Sequence, residues 1–159
     1  MKYCGLNKND IVNGEGISVS LFVSGCPHHC PGCFNPEAWD YGYGKDFTWD
    51  TIQEIVNALE ANNILRNLSI LGGEPLAPLN REVVAHLINE IRNIFGYSIK
   101  IYLWTGYVYE DLIAENDENI ETILSLIDVL IDGPYKEQNR DLGLKLRGSS
   151  NQRILKLNN

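Results

Sequence analysis

Ile17-Ser-Val-Ser-Leu-Phe-Val-Ser-Gly-Cys-Pro-His-His-Cys-Pro-Gly-Cys33 joins an alternating apolar segment to three closely spaced cysteines. In residues 17–24, Ile17, Val19, Leu21 and Val23 alternate with Ser18, Ser20, Phe22 and Ser24, the period of a strand. Gly25 ends that strand, and Cys26, Cys30 and Cys33 follow in the loop. The same arrangement recurs downstream. Residues 68–71 read as a short strand that breaks at Gly72-Gly73-Glu74-Pro75, and residues 99–104 as one that ends in Thr105-Gly106-Tyr107. A last apolar run, 129–131, leads into Asp132-Gly133-Pro134.

Helical patterns separate these strands. Thr48 caps a helix whose Ile52, Ile55, Val56 and Leu59 recur at i, i+3, i+4 and i+7. Asn80 caps a second, with Val83, Val84, Leu87, Ile88, Ile91 and Phe95 on one side, and residues 120–127 form a third. Alternating strands and helices imply α/β architecture: a mostly parallel sheet with crossover helices. In such sheets the carboxyl ends of the strands form the active face, so the four turns should converge there. A complete eight-unit barrel needs about 250 residues. At 159 residues, this chain is expected to form a partial (β/α) barrel in a single domain, 1–159. The missing side would leave the site open to a large substrate, such as a segment of another protein. No repeat, low-complexity tract or long linker interrupts the pattern.

With 44% apolar and 21% charged residues, the composition is that of an ordinary globular protein. A formal net charge of -8 argues against nonspecific binding to nucleic acid, because neutralising phosphates takes an excess of Lys and Arg. The first residues carry no charged leader followed by an apolar run, and no stretch approaches membrane-spanning length. A cytoplasmic location is expected. Thiols stay reduced there, so three clustered cysteines point to metal rather than to disulfides. Cys4 stands alone and reads as a small, half-buried residue.

Three thiolates in so short a loop can hold three irons of a cubane and leave the fourth open to a small molecule. The bland alternative is zinc, with His28 or His29 as fourth ligand. Structural zinc sites usually pair two ligand knuckles, and only one is present. The Gly-Gly-Glu-Pro turn beside the cysteines favours the cluster. His28 and His29 then read as loop residues. Gly72 and Gly73 suit a turn that needs positive φ, but glycines also let backbone approach a ligand. Glu74 or the freed backbone groups could accept a bond from a ligand's ammonium group. Trp39, Trp49 and Trp104 read as packing residues, and Gly148-Ser-Ser-Asn-Gln-Arg153 as a polar loop.

Cys26-x3-Cys30-x2-Cys33 followed by Gly72-Gly73-Glu74-Pro75 resembles the radical S-adenosylmethionine superfamily. Within it, Asp10-Ile-Val-Asn-Gly14, Leu21-Phe-Val-Ser-Gly-Cys26, Cys30-Pro-Gly-Cys33, Trp104-Thr-Gly-Tyr107, Asp132-Gly133 and Arg147-Gly-Ser-Ser-Asn-Gln152 resemble the activators of anaerobic ribonucleoside-triphosphate reductases. The likeness runs almost end to end. The last segment and the short length set the chain apart from the longer activator of pyruvate formate-lyase. Two positions depart from the pattern. Gly14-Glu15-Gly16-Ile17-Ser18 stands where related activators often carry Gly-Pro-Gly and an arginine two residues on. Gly32 replaces the superfamily's usual aromatic residue before the third cysteine, with Phe34 just after it.

The resemblance implies a [4Fe-4S] cluster on Cys26, Cys30 and Cys33, with S-adenosylmethionine on the open iron. Gly32, Cys33 and Phe34 would lie along the adenosine part, and Gly72, Gly73 and Glu74 would contact the methionyl amino group. No side chain beyond the cluster is implied to be catalytic. Reductive cleavage would give methionine and a 5′-deoxyadenosyl radical, which takes hydrogen from a glycine α-carbon of the reductase. A cellular donor such as flavodoxin would supply the electron. Two alternatives stand beside this: a small radical enzyme acting on a pterin or deazapurine metabolite, and a zinc-stabilised interaction module.

Overall fold

The computed structural model describes residues 1–158, so the last residue of the expected 1–159 unit lies outside the described residues. In chain order the strands are β1 (Lys2–Asp10), β2 (Ser18–Val23), β3 (Lys45–Asp46), β4 (Asn67–Gly72), β5 (Ile101–Trp104), β6 (Val129–Asp132) and β7 (Arg153–Lys156). The helices are α1 (Trp49–Leu59), α2 (Arg81–Phe95), α3 (Tyr109–Ala114) and α4 (Glu118–Leu126). All seven strands form one open sheet in the order β3-β1-β2-β4-β5-β6-β7.

The central strands β2, β4, β5 and β6 are parallel, and β4, β5 and β6 are reached through helical crossovers as the alternation requires. Their register sets Val19 beside Leu68 and Leu21 beside Ile70, and continues with Leu68 beside Ile101 and Leu103 beside Leu130. These fully buried side chains face α1, α2 and α4, which contribute Ile52, Ile55, Leu59, Val84, Leu87, Ile88, Ile91, Ile120 and Ile123 to the same core. Period 2 on the strands meets period 3.6 on the helices, which makes the layered architecture stable.

At the edges the structure departs from expectation. β1, β3 and β7 are antiparallel to their neighbours. β1 escaped notice because Gly5 and two register irregularities against β2 break its alternation. β7 begins at Arg153, inside the segment read as loop, and α3 is a six-residue helix that buries only Leu112.

The sheet face opposite the helices is not left open. Ser18, Ser20, Ser69, Tyr102 and Ile131 are buried there. Ser69 Oγ donates to Asn13 O, and Gly14 lies against Ser18, Ser69 and Tyr102. On the other flank Trp104 Nε1 donates to Leu146 O at 2.6 Å. The chain's own loops therefore narrow the lateral opening expected of a partial barrel, leaving the rim of turns at the strand ends as the accessible part.

Candidate functional site

The four turns at the carboxyl ends of β2, β4, β5 and β6 converge: backbone hydrogen bonds join the first to the second and the third to the fourth, and the Glu74 side chain joins the second to the third. Glycine is required where they cross. Gly72 has φ +105°, and a Cβ on it would stand 2.8 Å from the Phe22 and Val23 backbone. Gly73 is not in the left-handed region, contrary to the reading that both glycines need positive φ. A Cβ there would approach Gly25 O to 2.6 Å and Ala38 O to 2.9 Å, so close backbone approach excludes any side chain. Gly73 N donates to Val23 O at 2.7 Å and Glu74 N to Gly25 O at 2.8 Å. The glycine turn is thereby fastened to the start of the cysteine loop. Gly133 N donates to Tyr107 O at 2.8 Å, which ties the last two turns together.

Asn80 occupies the first position before α2, but its side chain makes no cap. Its amide instead donates to Ser24 O at 2.9 Å and to Glu74 O at 3.0 Å, linking the strand end to the turn. The helix-start signal in the sequence was sound, while the side chain serves the site. Thr48 does cap α1, in a reciprocal arrangement with Thr51.

Glu74 is the centre of the network. It is 1% exposed. Its Oε1 accepts from Leu76 N at 2.9 Å and from Thr105 Oγ1 at 2.8 Å; its Oε2 accepts from Gly106 N and His28 Nε2, both at 2.7 Å. A carboxylate has room for about four donors, so this one is saturated. What the turn offers a ligand is backbone. Gly73 O receives no donor among the described residues.

His28, read from sequence as a loop residue, and Thr105 are thus side-chain partners of Glu74 that the sequence pattern does not report. Residues 46 apart in sequence leave no periodic signal for their pairing. His29 is exposed, with φ +47° and its ring stacked on Trp39, centroids 4.7 Å apart. Phe34 is fully exposed, which removes packing as its explanation. Trp49 is also more than half exposed, against the expectation that it packs.

The cysteines lie in a compact loop in which Cys33 N donates to Cys30 O at 3.1 Å. Cys26 is buried, and Cys30 and Cys33 are half-buried. Burial pushes the Cys26 thiol up to about 11, aided by the nearby Glu74 and Cys30, while the N–H groups of His28 and His29 oppose the rise. Cys30 is raised too, by burial first and then by Cys33 and Glu74, against N–H donors that include Tyr135. A bound cation offsets such a rise, because it keeps a coordinating thiol deprotonated. A single ion needs every ligand about 2.0–2.3 Å from one point. Among the described residues no group of three or more His, Cys, Asp or Glu side chains is placed to hold a metal ion. A cubane instead distributes three thiolates over three irons.

Cys4 lies apart, with Sγ 3.5 Å from Phe22 O and accepting from Asn35 Nδ2 at 3.7 Å. The segment Arg147–Gln152 folds onto the Asp132-Gly133-Pro134 turn rather than standing free: Gln152 Nε2 donates to Gly133 O and Asn151 Nδ2 to Pro134 O. Among the described residues no helix is long and apolar enough to cross a membrane.

Comparison with known proteins gives one consistent result. The 4Fe-4S single cluster domain family matches residues 12–155. The chain is 39% identical to the anaerobic ribonucleoside-triphosphate reductase-activating protein of Enterobacteria phage T4 over 154 residues, covering 97% of this chain and 93% of that protein. It is 40% identical to the protein of that name from Escherichia coli K12 over 144 residues, 90% of each. For the Vibrio cholerae protein the figures are 39% over 146 residues and 91% of each chain.

Proposed function

The chain belongs to the 4Fe-4S single cluster domain family and to the anaerobic ribonucleoside-triphosphate reductase-activating proteins, and from that premise we propose how its residues do the work. Cys26, Cys30 and Cys33 hold one [4Fe-4S] cluster and leave one iron to S-adenosylmethionine. The Gly72-Gly73-Glu74 turn receives the cofactor's amino group through backbone carbonyl. Gly32, Cys33 and the exposed Phe34 flank its adenosine part. When bound, the cluster supplies the electron that splits the sulfonium into methionine and a 5′-deoxyadenosyl radical, which takes hydrogen from a glycine α-carbon of the partner reductase.

The residues themselves bind, orient and exclude water. The Glu74 network holds three loops in one frame. The observation that carries the reading is that frame: the cysteine loop and the glycine turn are hydrogen-bonded together, while Gly73 O keeps its lone pairs for a ligand.

We read the open sheet as part of a (β/α) barrel in a single cytoplasmic domain, with the partner's glycine segment approaching the rim of turns. The electron comes from a small cellular donor such as flavodoxin. The test is to reconstitute the protein without oxygen, reduce it and add S-adenosylmethionine. Release of methionine and 5′-deoxyadenosine, with an EPR signal from the reduced cluster that changes on cofactor addition, is expected. A colourless protein holding one zinc per chain would overturn the reading.

A further inference from the structure

We infer that His28 is a positioning residue: through Glu74 it sets the spacing between the cysteine loop and the Gly72-Gly73 turn at which one S-adenosylmethionine spans both. The inference rests on the reading just given. His28 lies between Cys26 and Cys30, and its Nε2 donates to Glu74 Oε2 at 2.7 Å. No other side chain of the cysteine loop reaches that carboxylate among the described residues. The ring is held from two more sides. It packs edge-to-face with Tyr107, ring centroids 4.6 Å apart, and lies so close to Gly106 that a Cβ there would stand 2.5 Å from Cδ2.

The remaining bonds to Glu74 come from its own turn, through Leu76 N, and from the turn after β5, through Thr105 Oγ1 and Gly106 N. One buried carboxylate therefore gathers three loops, and His28 is the cysteine loop's side-chain share of it. A ligand anchored at one end on the cysteine loop and at the other on the glycine turn is sensitive to their separation, because displacements of about 1 Å already spoil a bound geometry. The His28 imidazole acts through Glu74.

The experiment compares His28→Ala, His28→Gln and Gly106→Ala with the wild type after anaerobic reconstitution. Three readouts are taken: iron and sulfide per chain, S-adenosylmethionine affinity by calorimetry, and the EPR spectrum of the reduced cluster with and without the cofactor. His28→Ala should load its cluster, bind the cofactor about tenfold more weakly or worse, and show a diminished spectral response to it. His28→Gln places an amide nitrogen near the lost Nε2 and should restore affinity to within about threefold. Gly106→Ala crowds the ring off Glu74 while leaving the imidazole in the chain; it should weaken binding similarly, and it decides the matter if His28→Ala does not load. Wild-type affinity and spectral response in His28→Ala or, where that variant does not load, in Gly106→Ala would overturn the inference. So would a His28→Gln protein as impaired as a loaded His28→Ala. A wild-type protein that shows no cofactor binding at all would instead overturn the underlying reading.

Discussion

At the residue scale, the three cysteines and the two glycines do different work, and substitution separates them. Replacing Cys26, Cys30 or Cys33 by Ala should each abolish stable cluster binding, whereas Cys4→Ala should retain it, since Cys4 bonds only to Phe22 O, Val23 O and Asn35. Iron and sulfide per chain measure this; full iron in Cys33→Ala would contradict the assignment. Gly73→Ala meets backbone at 2.6 and 2.9 Å, neither of which is a flexible side chain. Overpacking of this kind costs about 1–3 kcal/mol, so the variant should melt several degrees lower. Gly42→Ala, whose nearest neighbour is the Asp40 side chain at 3.3 Å, should melt like the wild type. Equal melting of all three proteins would refute the close-approach argument. The cysteine spacing and the glycine pair stand out in the sequence as a candidate site because each pattern is local. His28, Thr105 and the true task of Asn80 do not, because their partners lie 46, 31 and 56 residues away and no pattern within a window reports them.

At the element scale, the parallel core strands and the long helices could be read from hydrophobic period, while the edges could not. β1 is interrupted by irregularities, and β7 carries only Ile154 and Leu155 as apolar residues, so neither gives a clean alternation. Helix α4 shows how a short element is fixed without a strong pattern. Asp117 accepts from Asn119 N and Ile120 N, both at 3.0 Å, and Arg81 of α2 approaches it at 3.1 Å. Burial alone would raise the Asp117 carboxyl, but the N–H of Ile120, the Arg81 guanidinium and the N–H of Asn119 together hold it below its ordinary value. A depressed carboxyl contributes stability above its unfolded value, about 3.9, and loses it as pH falls through the folded one. Asp117→Ala should therefore cost about 1 kcal/mol at neutral pH, and the difference from wild type should shrink in acid below about pH 4. Denaturant melts at several pH values would show this. A gap that persists undiminished into strong acid would assign the loss to something other than the carboxylate.

At the scale of the whole molecule, the fold brings four strand-end turns to one rim and covers the opposite sheet face with its own loops. Strand order supplies the convergence, so that part follows from the alternation of elements. The covering loops, anchored through Asn13, Glu15 and Leu146, contain too little regular pattern to be anticipated. A site on a rim rather than in a closed cavity suits a macromolecular substrate that presents one residue. A formal net charge of -8 would speed encounter with a partner that presents basic residues. The most direct test of the account mixes the reduced, cluster-loaded protein with S-adenosylmethionine and an anaerobic ribonucleoside-triphosphate reductase, in the absence of oxygen, and records the EPR spectrum of the reductase. The account predicts a glycyl-radical doublet, lost when the acceptor glycine is replaced by alanine. Cofactor cleavage with no doublet on an intact reductase would contradict it.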